Sequence, residues 1–200
     1  LEDQYKEANR IFGRFVEDHY TDWIADKALV AGEGRPVLSH EVVHESVLPL
    51  LDGSKPVVFF VIDCMRYDQW LEMERLLYPK FKIDKEFYYS ILPTATPYSR
   101  NAIFSGMLPD ELVRRYAKWW NDSAEDEHSK NRHEEELLAD LLKRKSVSCK
   151  MQYEKVVRAN DGKSVGQAIP NMFENDLNAI VVNFVDNLAH GRSDSAILKE

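Results

Sequence analysis

The sequence predicts an α/β domain with a doubly wound sheet from about residue 37 onward, preceded by a helical segment. Two apolar runs and the segments around them carry that prediction. Val57-Val58-Phe59-Phe60-Val61-Ile62 is rich in β-branched and aromatic residues, follows the turn Asp52-Gly53-Ser54-Lys55-Pro56 and stops at Asp63. A run of that kind reads as a strand buried on both faces of a mostly parallel sheet. Residues 179–185 form a second such run, ending at Asp186. Around these runs helical spacings alternate with strand-like stretches, the pattern of βαβ units.

Taken in order, residues 2–27 place Tyr5, Ala8, Ile11, Phe12, Phe15, Val16, Trp23 and Ile24 at spacings of three and four, the mark of an amphipathic helix of about seven turns. Gly32-Glu33-Gly34-Arg35-Pro36 is a breaker cluster, so residues 1–36 form a helical linker and residues 37–200 the domain. Ser39 starts a shorter helix running to about Leu51. After the first strand, residues 67–78 are helical through Trp70, Leu71, Met73, Leu76 and Leu77, and residues 87–92 read as a strand. Residues 97–105 and 109–120 are helical, 121–133 a polar loop, 134–145 an amphipathic helix and 147–156 a strand. No internal repeat or low-complexity tract interrupts the order.

Two hundred residues suit one ordinary domain, or a domain with an added helical segment. A net charge of −8 lacks the basic footprint of a duplex-binding protein. Cys64 and Cys149 lie far apart in sequence and suggest no disulfide framework, which fits a reducing, cytoplasmic setting. No apolar run approaches the roughly 20 residues that span a bilayer, and acids stand at the start where a signal peptide carries bases. The chain opens at Leu1 without an initiator Met and closes at Glu200 within a charged segment, and is expected to be a fragment of a longer protein.

The chemistry is expected at the carboxyl ends of the strands, where open α/β sheets bind ligands. Asp63 ends the first strand, with capping of the following helix as its plain alternative. Thr96, in Pro93-Thr94-Ala95-Thr96-Pro97, opens a helix. Locally it reads as an N-cap with proline at the first helical position, although a helix N-terminus also suits a nucleophile that attacks phosphate. Asp186 and His190, separated by three residues, can share one face of a helical turn and offer oxygen and nitrogen to Zn²⁺ or a similar metal.

The order strand-Asp63, then Pro93-Thr94-Ala95-Thr96-Pro97 opening a helix closed by Ser105-Gly106-Met107-Leu108-Pro109, then strand-Asp186-Asn187-Leu188-Ala189-His190, resembles the alkaline phosphatase superfamily and, within it, PglZ domains. With Tyr5-Lys6-Glu7-Ala8-Asn9-Arg10-Ile11-Phe12, Phe15-Val16-Glu17 and Arg66-Tyr67-Asp68-Gln69-Trp70, the chain is similar to PorX-type response regulators of the type IX secretion system. The resemblance implies a three-layer α/β/α sandwich, incomplete at the C-terminus, with two Zn²⁺ per complete site. Asp63 and Thr96 would hold one metal, with Thr96 the catalytic nucleophile, and Asp186 and His190 the other. The remaining ligands would lie beyond residue 200, leaving the fragment inactive. Thr96 is preferred to Thr94 by its spacing to Gly106, and Asn121 is a candidate for phosphate binding whose spacing departs from the family. The implied function is a zinc-dependent phosphodiesterase or phosphatase acting on small nucleotide phosphodiesters. Its implied partners are a sensor kinase, reached through a receiver domain, and secretion-system proteins.

Other patterns compete. His40-Glu41-Val42-Val43-His44 matches the zinc-peptidase pattern H-E-x-x-H, but no third ligand follows and Pro49 soon ends the helix. His128 and His133 fall in the polar loop, and His19 on the polar side of the first helix. Arg66 and Arg100 could reach a phosphate or pair with nearby acids. Trp119-Trp120 reads as packing rather than a stacking platform for a base. A different class of function, a protein-interaction or homodimerisation module, would use the helix of residues 2–27 as its contact.

Overall fold

A computed structural model describes residues 1–25, 34–121, 131–157, 166–167 and 169–183. Asp186, His190 and His128 lie outside the described residues. Three strands, β1 (Val57–Ile62), β2 (Met151–Val156) and β3 (Leu177–Val182), pair in parallel in the order β1-β3-β2. Parallel pairing requires crossover connections, and between β1 and β2 helices supply one. They are α2 (Tyr67–Leu77), α3 (Thr96–Ser105), α4 (Pro109–Arg115), α5 (Ala117–Asn121) and α6 (Glu134–Arg144), after α1 (Glu2–Ala25) at the start of the chain.

Period-2 alternation sorts the strand side chains into two sets. Val57, Phe59 and Val61 of β1, Met151 and Tyr153 of β2, and Leu177, Ala179 and Val181 of β3 join one core with Ile103 and Phe104 of α3 and Leu137, Leu138, Leu141 and Leu142 of α6. Phe104 is fully buried, its ring 6.0 Å from Phe59 and 6.2 Å from Tyr153. On the other face Ile180, Val156 and Met172 are buried together. The central position of β3 explains why its first five residues are all buried.

Several sequence expectations are corrected. β1 is an edge strand of the described sheet, and its second face is not buried: Val58 is 41% and Phe60 55% exposed. An apolar run reports that a segment can be buried, and tertiary neighbours decide on how many sides. Residues 87–92 form no strand; Tyr89 makes a single parallel bridge to Leu38. The segment is drawn off by other partners, since Ile91 N–H donates to Ser39 Oγ (3.0 Å) and Leu92 N–H to Tyr20 Oη (2.7 Å). The region from Ser39 is not a regular α-helix but three short turns, Ser39–Glu41, Val43–Val47 and Leu48–Leu50, of 3₁₀, π and 3₁₀ type. The helix expected over 109–120 is broken at Tyr116 into α4 and α5, and β2 starts four residues later than the expected 147.

α1 docks mainly through its C-terminal half, with Phe12 also stacked on Tyr89 at 6.0 Å. Trp23, its one buried residue, packs with Leu38, Ile91 and Ala102 and meets Tyr89 edge-on at 4.9 Å. Tyr5, Ile11 and Phe12 remain exposed. No helix among the described residues is long and apolar enough to cross a membrane.

Candidate functional site

The carboxyl edge of the sheet is held together by charge. β1 runs directly into Asp63, whose backbone N–H donates to Val182 O (3.0 Å) and keeps it in register with β3. Cys64 takes a left-handed conformation (φ 61°) and turns the chain away from the strand. Asp63 does not cap α2. The cap residue is Arg66, whose N–H donates to Gln69 Oε1 (2.9 Å), and Arg66 itself pairs with Asp68 on the surface. Asp63 Oδ2 instead accepts a hydrogen bond from Arg100 Nη1 (2.7 Å).

Arg100 is buried in the second turn of α3, and its guanidinium is engaged through Nε and Nη1. Nη1 also donates to Asn183 Oδ1 (2.9 Å), at the end of β3, and Nε donates to Glu134 Oε1, at the start of α6. Glu134 in turn accepts from Tyr153 Oη (2.6 Å) and Lys155 Nζ (3.1 Å) on β2. Lys155 Nζ also donates to Asn131 O (2.9 Å). Burial, together with the charge of Glu134 and the hydrogen bond to it, pushes the Tyr153 phenol well above its ordinary value, so it stays a donor at neutral pH. Two cations and two carboxylates thus tie together the ends of all three strands and two helices. The side chains grow more exposed toward one end, from Glu134 at 0% through Arg100 at 4% to Asp63 at 15%. Asp63 is the carboxylate nearer to solvent.

Thr96 is the first helical residue of α3 and half-buried, with Ala95 as the cap residue and Pro97 following. The local expectation of a Thr96 N-cap is off by one position, and its hydroxyl does not cap the helix. Ser99 Oγ instead donates to Thr94 O (3.0 Å) and ties the loop to the first turn. Thr96 and Arg100 are four residues apart and lie on one face of α3. The helix therefore offers Thr96, at its amino end, on the face from which Arg100 reaches Asp63. Thr94 is exposed in the preceding loop.

Asp63 and Thr96 are oxygen donors of a kind that divalent cations accept, and the bond from Arg100 to Asp63 Oδ2 is the outer-shell support that ligating carboxylates carry. By donor chemistry they fit part of a metal site. Among the described residues no three of His, Cys, Asp and Glu converge on a common point.

The rival motif does not assemble. Arg35 grips Glu41 with two hydrogen bonds of 2.6 Å, Glu41 also accepts from Leu38 N–H, and His44 is exposed beside Glu45. His133 is not a solvated loop residue: it is half-buried and stacks on Trp119 at 4.9 Å, which stacks on Tyr116 at 4.4 Å, so Trp119 is packing. His19 lies on the exposed side of α1 against Phe15. Asn121 ends α5.

Sequence reasoning missed Glu134, Asn183, Tyr153 and Lys155. Glu134 opens the run Glu134-Glu135-Glu136, which reads as a solvated helix start. Lys155 follows Met151 and Tyr153 at period two, a signal that it faces the same core.

A profile of the BREX system PglZ alkaline phosphatase-like domain family matches residues 42–200. The match takes in all three strands, α3 and the four candidate residues Asp63, Thr96, Asp186 and His190. No curated protein matches the chain.

Proposed function

Because the chain belongs to the PglZ family of alkaline phosphatase-like domains, we propose that it is the nucleophile-bearing part of a phosphoesterase that acts on phosphodiesters through Thr96. The observation that carries this reading is the placement of Thr96 on the face of α3 from which Arg100 bonds Asp63, at the carboxyl edge of a parallel sheet.

In this reaction Thr96 Oγ attacks phosphorus, a P–Oγ bond forms and the bond from phosphorus to the leaving oxygen breaks. The hydroxyl proton passes to solvent, and the leaving oxygen takes up a proton from water. Water then attacks the phosphothreonine, releases phosphate monoester and restores the hydroxyl. The helix dipole at the amino end of α3 favours negative charge beside Thr96 throughout. Asp63 with Thr96, and Asp186 with His190, are the residues that would hold two Zn²⁺. When bound, the metals supply Lewis acidity that eases ionisation of the hydroxyl and neutralises the leaving oxygen.

The same reading places the domain in a three-layer sandwich and makes it the cytoplasmic output of a response regulator of the type IX secretion system, addressed by a sensor kinase. The motif likeness at residues 5–12, 15–17 and 66–70 supports it. The test is hydrolysis of bis-p-nitrophenyl phosphate by the intact protein with Zn²⁺. Thr96→Ala and Asp63→Asn are expected to lower kcat at least 100-fold, with Thr94→Ala close to wild type. Full activity in Thr96→Ala would overturn the assignment.

One observation favours a second reading, an interaction module: Tyr5, Ile11 and Phe12 are exposed along α1. If α1 is a dimer contact, Ile11→Asp halves the mass measured by light scattering; an unchanged mass rules this contact out.

A further inference from the structure

Arg100 and Glu134 are the most deeply buried charged pair described, and the reaction above gives neither of them a task. A buried ion pair is poor as a source of stability, because apolar residues of similar volume often serve as well or better. What such a pair supplies is direction. Arg100 presents two nitrogens in a rigid plane, with Nε on Glu134 and Nη1 on both Asp63 and Asn183. Glu134 cannot turn, since Tyr153 and Lys155 hold its other oxygen from β2. Fixed at that end, the guanidinium sets where Asp63 Oδ2 lies relative to α3, the helix that Thr96 opens.

We propose that Arg100, backed by Glu134, is a positioning residue for Asp63: it holds one carboxylate oxygen so that the other is aimed at a divalent cation. The proposal rests on the reading of Asp63 as a metal ligand. Two features support the direction of the effect. Of the two carboxylates Asp63 is the more exposed, at 15% against 0% for Glu134, so a cation approaches Asp63 and not Glu134. The positive charge of Arg100, which alone would repel a cation, is countered by Glu134 directly behind it. Outer partners of this kind typically alter metal affinity 10- to 100-fold.

The experiment is Zn²⁺ binding to the intact protein by isothermal titration calorimetry, with thermal unfolding measured alongside. The double variant Arg100→Met with Glu134→Leu removes the two most deeply buried charges together, while Asp63 and Lys155, which lose a partner each, stay in place at the edge of the network. It is expected to fold with a lower Tm than wild type, and to bind Zn²⁺ at least 10-fold more weakly, as Asp63→Asn does. A folded double variant that binds Zn²⁺ as tightly as wild type, while Asp63→Asn binds weakly, overturns the positioning role and leaves the reading of Asp63 standing. Unchanged Zn²⁺ binding in Asp63→Asn overturns that reading and the proposal with it. If the double variant does not fold, Tyr153→Phe decides. It leaves every charge in place and frees one side of Glu134, and weakening of a few-fold supports the proposal whereas wild-type affinity overturns it.

Discussion

Arg35 and Glu41 face each other through two hydrogen bonds of 2.6 Å, with only 10% and 16% of their side chains exposed. Fork-to-fork geometry of this kind is among the stronger ion-pair arrangements, and Glu41 also accepts the Leu38 N–H (3.0 Å). Glu41 is thereby the fastener of the short turns that lead into the domain. Arg35→Ala is expected to destabilise the fold by about 2–4 kcal/mol, since it leaves a largely buried carboxylate without its partner. Urea unfolding of both single variants and the double variant measures it, and a coupling energy near zero would contradict the pairing.

Gly106 ends α3 in the left-handed conformation (φ 62°), and a Cβ there would come within 2.7 Å of Leu141 Cδ1. Alanine adds conformational strain and a clash with a buried side chain. Gly106→Ala is expected to cost about 2–3 kcal/mol in stability. Combining it with Leu141→Val should recover part of that loss, and strict additivity of the two changes would show that the contact is not the cause.

His40 carries a pH dependence. Its Nδ1 is buried without a hydrogen-bond partner among the described residues. Burial pushes the imidazole below its usual value of 6.5, against the opposing charges of Glu41 and Glu111. The folded state therefore binds a proton less readily than the unfolded chain. This contribution is complete above the unfolded value and is lost as pH falls below about 6.5. His40→Gln does not titrate, so the stability of wild type relative to His40→Gln should fall between pH 7 and pH 5. A difference that stays constant over that range removes His40 from the acid response.

Tyr20 on α1 accepts the Leu92 N–H at 2.7 Å, four residues before Thr96. Tyr20→Phe keeps the ring and removes this bond, at about 1 kcal/mol, or roughly 2–4 °C in Tm. Faster hydrogen exchange at the Leu92 amide is the specific sign. An amide that exchanges as in wild type means that α1 does not steady the loop.

The sequence by itself determined the kinds and order of most elements. The β-branched run at Val57–Ile62 and the helical spacings of α2, α3 and α6 are local signals, set by which side chains recur at period two or 3.6. It also placed Asp63 at a strand end and Thr96 at a helix start. Tertiary structure decided everything that depends on a partner distant in the chain. Arg100 finds Glu134, Asp63 and Asn183 at separations of 34, 37 and 83 residues, and no local pattern marks Glu134 in a run of three glutamates as the buried one. The same cause made β1 an edge strand of the described sheet with Phe60 exposed, and turned residues 87–92 into a loop fastened by Ser39 and Tyr20. Local periodicity fixes what a segment can form, whereas burial and charge pairing depend on what the rest of the chain brings against it.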